Sequence, residues 1–212
     1  MKTALLLIRH GETAWNAEHR IQGQLDIPLS KRGIFQSARL AECLASEPID
    51  AVYSSPLSRS WLTAVPLAER LGLDVIAEPR LRERSFGIFE GLTLDEIAKR
   101  YPVEFEQWRA RDPAWRPDDG ESGQQLIDRV LSAVANIAAR HPVQTVVLVS
   151  HGGVLDVVYR VARSLAWHAP REHQMLNAAI NRVTAQASPL KLSIDHWSDI
   201  AHLEEARDEL LT

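Results

Sequence analysis

The sequence predicts a three-layer α/β/α fold, in which a mainly parallel central sheet carries helices on both faces. Two continuous apolar runs, residues 4–8 and residues 145–149, are typical of strands that are buried on both faces. Segments with helical periodicity separate these runs from further short apolar segments. Such an alternation of strands and helices is the pattern of a parallel sheet between two helical layers.

The sequence predicts six strands, of which the last two complete the sheet. In chain order, the first four are residues 4–8, 50–54, 73–76 and 145–149. Beyond Asn177, apolar residues alternate with polar ones, which predicts two closing strands.

Each predicted helix begins at a side chain that can accept a hydrogen bond from the first turn. Ser30 starts one helix, and Ser55 starts the next, with Pro56 at the first helical position. Thr93 and Ser122 each have Glu or Gln three residues later, which is the spacing of a capping box. Cys43 lies in an apolar helical stretch and is expected in the core.

The chain is expected to form a single domain over residues 1–212, because no internal repeat or linker divides it. The segment of about residues 89–120 is the irregular part, and we expect it to be an insertion over the active-site edge of the sheet. It carries Trp108 and Trp115, for which lining of a substrate cleft and buried packing are both open interpretations.

Composition excludes several classes of function. A formal net charge of −4 argues against a nucleic-acid-binding protein, which usually has a basic excess. No apolar segment is long enough to cross a membrane. With one cysteine there is no disulfide framework, so a cytoplasmic location is expected. Zinc-binding patterns and glycine-rich nucleotide loops are absent, which predicts no metal and no cofactor.

Charged residues follow the predicted strands. Arg9 and His10 end the first strand, Arg59 follows the second, Glu83 comes after the third, and His151 ends the fourth. In open α/β sheets, ligands bind just beyond the carboxyl ends of the strands. Two histidines, two or more arginines and one acid at this edge suit a phosphate group.

The chemistry of phosphoryl transfer assigns roles to these residue types. Arginine matches two phosphate oxygens with its planar fork and stays charged. A neutral His10 can attack phosphorus, and neighbouring arginines lower its pKa. His151 would donate to the transferring phosphoryl oxygens. Glu83 would protonate the leaving alkoxide, provided that burial raises its pKa.

The segment Leu-Ile-Arg-His-Gly-Glu-Thr-Ala-Trp-Asn at residues 7–16 resembles the signature of the histidine phosphatase superfamily, also called phosphoglycerate-mutase-like. The likeness continues, in the order of the family, at residues 20–29, 54–59, 81–83, 120–122 and 149–153. The resemblance implies that His10 is the nucleophile, that Glu83 is the general acid and base, and that no metal takes part. The implied phosphate ligands are Arg9, Arg59 and His151, with accessory contacts from Asn16 and Gln22.

Three of these residues also have structural interpretations. His10 alone could be an ordinary histidine at a strand end, although the paired His-Gly strand ends favour function. Arg59 could lie on a helix surface, but the preceding Ser-Ser-Pro-Leu-Ser segment predicts a helix start, which is itself an anion site. Glu83 lies between Arg82 and Arg84 and could belong to a surface ion-pair cluster.

Features of the sequence favour a phosphatase over a mutase. The segment between Glu83 and His151 is short beside that of the cofactor-dependent mutases, and Leu94 stands where mutases carry lysine. Arg84, directly after the acid, is a mutase feature and could bind a substrate carboxylate. We therefore expect hydrolysis of small phosphorylated metabolites through a phosphohistidine on His10, with phosphoglycerate mutase as the alternative. A non-catalytic phospho-ligand sensor is less favoured, because neither the nucleophile nor an arginine is missing.

Overall fold

A computed structural model describes residues 1–203. Residues 204–212 of the expected single domain lie outside the described part. The described chain contains one six-stranded sheet. Its strands are β1 (Lys2–Arg9), β2 (Ala51–Ser54), β3 (Val75–Ala77), β4 (Thr145–Ser150), β5 (Ile180–Ala187) and β6 (Leu190–Asp199).

The sheet is mainly parallel, as predicted. Its strand order is β3-β2-β4-β1-β5-β6. The neighbouring pairs β3–β2, β2–β4 and β4–β1 are all parallel. The closing strand β5 is antiparallel to β1 and to β6. The register aligns Arg9 with Ser150, and Ser54 with Val149. The carboxyl ends of β1, β2 and β4 therefore meet side by side at one edge of the sheet.

The described α-helices are α1 (Ala14–Ala17), α2 (Lys31–Leu44), α3 (Ser58–Leu71), α4 (Leu94–Arg100), α5 (Pro102–Arg109), α6 (Gly123–Arg140) and α7 (Gly152–Ala162), and short 3₁₀ helices span Pro79–Leu81 and Gly87–Phe89. Three predicted helix starts are confirmed. The Ser30 side chain accepts a hydrogen bond from the backbone of Gly33, and Thr93 and Ser122 form complete capping boxes. No described helix combines the length and apolar character that a membrane crossing requires.

The predicted start of the second helix at Ser55 is wrong. The helix α3 begins at Ser58, and its N-cap residue, Leu57, makes no side-chain cap. Asp26 from another loop accepts hydrogen bonds from both N and Oγ of Ser58, each at 2.8 Å. The anion site expected at this helix start is thus already satisfied by a carboxylate of the protein.

The core lies in two layers, one on each face of the sheet. Leu5 and Leu7 of β1 pack in one cluster with apolar residues of α6 and α7. Leu6 and Ile8 pack in the other with residues of α2 and α3. Successive side chains of a strand point to opposite faces, so this continuous apolar run serves both layers. The predicted three-layer fold is confirmed.

Cys43 is exposed, and its expected place in the core is wrong. The buried side of α2 is formed instead by Leu40, Ala41 and Leu44. Residues at positions i, i+1 and i+4 share one side of a helix, and Cys43 lies beyond its edge.

Candidate active site

His10 lies directly after β1, at the edge where the strands end. Its backbone N–H donates to the carbonyl of Ser150 at 2.9 Å, which continues the β1–β4 pairing by one residue. The side chain is buried, and Nδ1 lies 2.7 Å from the carbonyl oxygen of Gly11. A carbonyl can only accept, so Nδ1 carries the proton and Nε2 carries the lone pair. Nε2 is therefore the nitrogen that can act as a nucleophile.

The surroundings keep His10 neutral. Burial lowers its pKa well below the usual 6.5, and the positive charges of Arg9 and Arg59 lower it further. The hydrogen bond to the Gly11 carbonyl acts in the opposite direction but does not reverse the shift. At neutral pH the lone pair on Nε2 is available.

His151 lies across the site from His10, with ring centroids 5.2 Å apart. It follows β4 and is the N-cap residue of α7. Its Nε2 lies 2.8 Å from Oγ of Ser55 and 3.2 Å from Oγ of Ser60. Its Nδ1 is buried and has no hydrogen-bond partner within residues 1–203.

The contact with Ser55 fits a tautomer of His151 in which Nε2 accepts a hydrogen bond and Nδ1 carries the proton. The Ser55 hydroxyl accepts a hydrogen bond from the backbone N–H of Leu57, and its own proton can be donated to Nε2 of His151. Nδ1 then bears the hydrogen. A buried N–H without a partner is costly, and it marks a position where an acceptor such as a phosphate oxygen gains a hydrogen bond.

Arg9 and Arg59 converge on the same site. Arg59 is fully buried. Its Nη1 donates to the carbonyl of Leu25 and its Nη2 to the carbonyl of Gly23, each at 2.7 Å. Arg9 donates from Nη1 to the carbonyl of Met175 at 2.6 Å. The Nε atoms of both arginines are buried without partners in the described chain. The interpretation of Arg59 as a surface arginine is therefore wrong.

Glu83 is held at the site by backbone groups. Both of its carboxylate oxygens lie 3.1 Å from the backbone N–H of Gly153, and Oε1 also accepts from the backbone N–H of Arg84 at 2.8 Å. In the described chain the partners of its carboxylate are backbone N–H groups and not arginine side chains, so the alternative of a surface ion-pair cluster is not supported. The guanidinium of Arg129 donates to the Glu83 carbonyl at 3.0 Å and to that of Arg82 at 2.7 Å, which fixes the loop.

Asn16 lies near His10 but is partly engaged in local structure. Its Oδ1 accepts hydrogen bonds from N and Oγ1 of Thr13 in the capping box of α1. Asn177 donates to the carbonyl of His10 at 2.8 Å and lies 3.5 Å from Oδ1 of Asn16. The Asn16 amide nitrogen remains as its possible donor to a ligand.

Gln22 and Arg84 are both buried beside the site. Oε1 of Gln22 has no hydrogen-bond partner in the part of the chain that the structure describes. Arg84 donates from Nε to the carbonyl of Glu121 at 2.8 Å, and burial lowers its pKa.

A cavity of about 450 Å³ opens beside Glu83, with Arg84 and Gly153 in its lining. Its other side is lined by residues of the segment of about 89–120, including Trp108 and Trp115. The expectation that this segment is irregular is wrong over residues 94–109, which form α4 and α5. Both tryptophans also pack on Phe89, with ring centroids 6.0 and 6.2 Å away. Both tryptophans are therefore half-buried residues that line the cavity and pack on Phe89, and lining of a substrate cleft stays a prediction.

Sequence reasoning missed the residues that position the reactive groups. Ser55 and Ser60 orient His151, Gly153 holds Glu83, and Asn177 holds the backbone of His10. Ser55 and Ser60 stand beside Arg59 in the sequence, which was a usable signal. No local pattern distinguishes Asn177. Residues 1–203 contain no group of three or more His, Cys, Asp or Glu side chains arranged to hold a metal ion.

Comparisons with known proteins identify the family of this chain. The family model of the histidine phosphatase superfamily (branch 1) matches residues 5–199. The chain is 39% identical over 206 residues to a metal-independent phosphoserine phosphatase of Arabidopsis thaliana, covering 95% of this chain and 83% of that protein. It is 37% identical over 212 residues to a probable phosphoglycerate mutase of Cronobacter sakazakii, covering 96% and 97%.

A solved mycobacterial glucosyl-3-phosphoglycerate phosphatase, in complex with VO3, superposes with a TM-score of 0.81 at 33% identity. The match covers 93% of this chain and 99% of that chain. Together with the family match over nearly the whole length, these likenesses show that the chain belongs to the histidine phosphatase superfamily.

Proposed function

We propose that this chain hydrolyses small phosphate monoesters without a metal ion, through a phosphohistidine formed on Nε2 of His10. The observation that carries the proposal is the hydrogen bond from Nδ1 of His10 to the Gly11 carbonyl, which leaves the lone pair on Nε2. Across the site, the unpartnered Nδ1 of His151 supplies a donor for a phosphate oxygen.

In the first step, Nε2 of His10 attacks phosphorus while the bond from phosphorus to the ester oxygen breaks. Arg9, Arg59 and His151 hold the phosphoryl oxygens, whose charge spreads in the transition state. Glu83, as the acid, gives its proton to the leaving oxygen, which departs as an alcohol. The phosphoryl group then stays on Nε2, and Nδ1 keeps its proton to the Gly11 carbonyl.

In the second step, water attacks the phosphohistidine. The Glu83 carboxylate accepts the proton of the water, and the bond between phosphorus and Nε2 breaks. Inorganic phosphate leaves, and His10 returns to its neutral form with Glu83 protonated again. Asn16 and Gln22 are the proposed accessory contacts to the phosphate.

We propose that the substrate is a small phosphorylated metabolite whose leaving group carries a carboxylate. Arg84 lies one residue from Glu83 and lines the adjoining cavity, where it suits a carboxylate. The segment of about 89–120 would cover this edge, since Trp108 and Trp115 line the same cavity. Relatives named for phosphatase activity on phosphoserine and glucosyl-3-phosphoglycerate support hydrolysis. The relative named as a probable phosphoglycerate mutase keeps that alternative in view.

The test is phosphate release from a panel of esters in the presence of a chelator. The panel comprises p-nitrophenyl phosphate, phosphoserine, 3-phosphoglycerate and sugar phosphates. We expect release to vanish in His10→Ala and to persist in His196→Ala, which removes an exposed histidine on β6. Intact-mass measurement after rapid quenching should show a phosphorylated chain only when His10 is present.

Two outcomes would contradict the proposal. Phosphate release that continues in His10→Ala would exclude this nucleophile. Rapid interconversion of the phosphoglycerates in a coupled assay, with little phosphate release, would favour the mutase alternative. A mutase must keep water from the phosphohistidine until an acceptor hydroxyl takes the phosphoryl group.

A further inference from the structure

Three arginines, Arg111, Arg160 and Arg171, line the cavity beside Glu83 and form what we call the arginine cluster. Arg160 is the most buried of them, with 4% of its side chain exposed. Its Nη1 donates to the carbonyl of Ala166 at 2.8 Å. Its Nη2 is buried and has no hydrogen-bond partner among residues 1–203. A buried guanidinium N–H without a partner is costly, and a ligand in the adjoining cavity whose oxygen reaches it would gain this hydrogen bond.

The charges of the arginine cluster are not balanced by the protein around it. Asp156 pairs with both Arg160 and Arg171 at 3.1 Å, and its other oxygen lies 3.0 Å from Nε2 of His173. Arg111 donates only to a backbone carbonyl and forms no ion pair in the described chain. Burial lowers the pKa of Arg111, and the like charges of Arg160 and Arg171 lower it further.

Arg160 and Arg171 therefore share one buried carboxylate, and Arg111 has none within residues 1–203. Asp112 also lines the cavity, but it is exposed and accepts from the backbone N–H of Ala114. Excess positive charge at a partly desolvated surface favours an anion, and arginine binds carboxylate or phosphate oxygens with two parallel hydrogen bonds.

The helix α7 sets the distance between this cluster and the reacting groups. Gly153, Asp156 and Arg160 are spaced i, i+3 and i+7, which places them on one face of α7, and all three line the cavity. A rise of about 1.5 Å per residue puts Asp156 about 4.5 Å and Arg160 about 10.5 Å along the helix from Gly153. The Arg160 guanidinium turns back to Asp156, so it lies between these two levels.

The rest of the lining suits a leaving group of some size. The aromatic side chains that line the cavity are those of Phe86, Phe105, Trp108, Trp115 and Trp167. The cavity of about 450 Å³ is in the range of pockets that bury ligands larger than a three-carbon acid. From the ester oxygen to the carboxylate, such an acid spans only about 4 Å, the length of three bonds in extended form.

We propose that the arginine cluster is a second anion-binding subsite, which selects phosphate monoesters whose leaving group carries its own carboxylate or phosphate roughly 5–10 Å from the ester oxygen. This inference rests on the proposed function, because Glu83, held by Gly153, would locate the ester oxygen at the near end of the cavity. Arg84 would bind a carboxylate of the substrate close to the reacting phosphate, and the arginine cluster would bind an anionic group further away.

The test uses ω-carboxyalkyl phosphates of increasing length, each compared with the uncharged alkyl phosphate of the same length. We expect the carboxylate to raise kcat/KM about tenfold or more once it reaches the cluster, and to give no such gain in shorter esters. A parallel series of α,ω-alkanediol bisphosphates shows whether a second phosphate is preferred to a carboxylate.

Arg111→Gln and Arg171→Gln should each remove most of this gain. Arg70→Gln, which removes an exposed arginine on α3, should leave it intact. Arg160→Gln leaves Asp156 partly unpaired, so its circular dichroism is compared with that of the wild type before its kinetics are interpreted. No gain from the carboxylate at any length, or a gain that persists in both Arg111→Gln and Arg171→Gln, would overturn the subsite.

The same experiment separates failure of the subsite from failure of the proposed function. p-Nitrophenyl phosphate has no second anion, so its hydrolysis without any carboxylate gain overturns the subsite alone. If no ester is hydrolysed, calorimetric titration with ω-carboxyalkyl phosphonates and alkyl phosphonates makes the same comparison through binding. Equal affinities of the two phosphonate series would then overturn the subsite as well.

Discussion

Two adjacent glycines at the start of α7 provide a test of the role of Glu83. A Cβ on Gly153 would come closer than 3.0 Å to Oε1 of Glu83, a separation that real Cβ atoms essentially never show. A Cβ on Gly152 would lie between 3.7 and 3.9 Å from its nearest neighbours, Met175, Arg9 and Glu83, which is ordinary contact. We therefore expect Gly153→Ala to displace the carboxylate and Gly152→Ala to leave it in place.

The size of the effect follows from how the clash is relieved. The carboxylate is the end of a flexible side chain, so it can retreat by about 1 Å without disturbing the backbone. A displacement of about 1 Å can cost about 100-fold in rate when the group must meet a reacting atom. We expect kcat/KM for alkyl phosphates to fall about 30- to 100-fold in Gly153→Ala, or about 2–2.7 kcal/mol.

The assay compares alkyl phosphates with p-nitrophenyl phosphate in both variants. An alkoxide needs a proton as it leaves, whereas p-nitrophenolate is stable without one, so the loss should be largest for the alkyl esters. Both substitutions replace glycine by alanine in the first turn of α7, and their helix propensities change by the same amount of up to about 1 kcal/mol. Thermal unfolding of the two variants should therefore differ little.

The reasoning would be refuted by either of two results. Equal losses for alkyl and p-nitrophenyl esters in Gly153→Ala would show that the displaced carboxylate is not the acid. A comparable loss in Gly152→Ala would show that any added methyl group at this turn disturbs the site, irrespective of Glu83.

Three further predictions concern the histidines and the backbone. Because the folded-state pKa values of His10 and His151 lie below the usual 6.5, the unfolded chain binds more protons in acid. The free energy of unfolding should decrease as the pH is lowered below about 6.5, by at most about 1.4 kcal/mol per pH unit for each of these histidines. Urea titrations should show a smaller fall in His10→Gln, and an unchanged fall would contradict the assignment. Ser55→Ala removes the proton donor to Nε2 of His151, so kcat should drop about 2- to 12-fold, with recovery in Ser55→Thr. An undiminished kcat in Ser55→Ala would rule out this tautomer role. Gly33→Ala places a Cβ against the backbone carbonyl of Glu12, which cannot move away as a side chain can. We therefore expect the free energy of unfolding, measured by chemical denaturation, to decrease by about 1–3 kcal/mol.

The elements of the fold that were predictable are those set by local patterns. The apolar runs that became β1 and β4 depend on hydrophobicity within a few residues, and the caps at Ser30, Thr93 and Ser122 depend on spacing within one turn. Local patterns failed where a distant partner competed. Ser55 has the sequence of a helix cap, but its hydroxyl contacts His151, which is 96 residues further along the chain.

For the site, the sequence by itself determined the family, the three-layer fold and which charged residues follow the strands. These properties follow from motif order and from the rule that parallel strands end at one edge. Only the tertiary structure decided which nitrogen of His10 is reactive, what holds Glu83, and where the arginine cluster lies. Each of these depends on hydrogen bonds and like charges between residues far apart in the chain, whose distances no local pattern encodes.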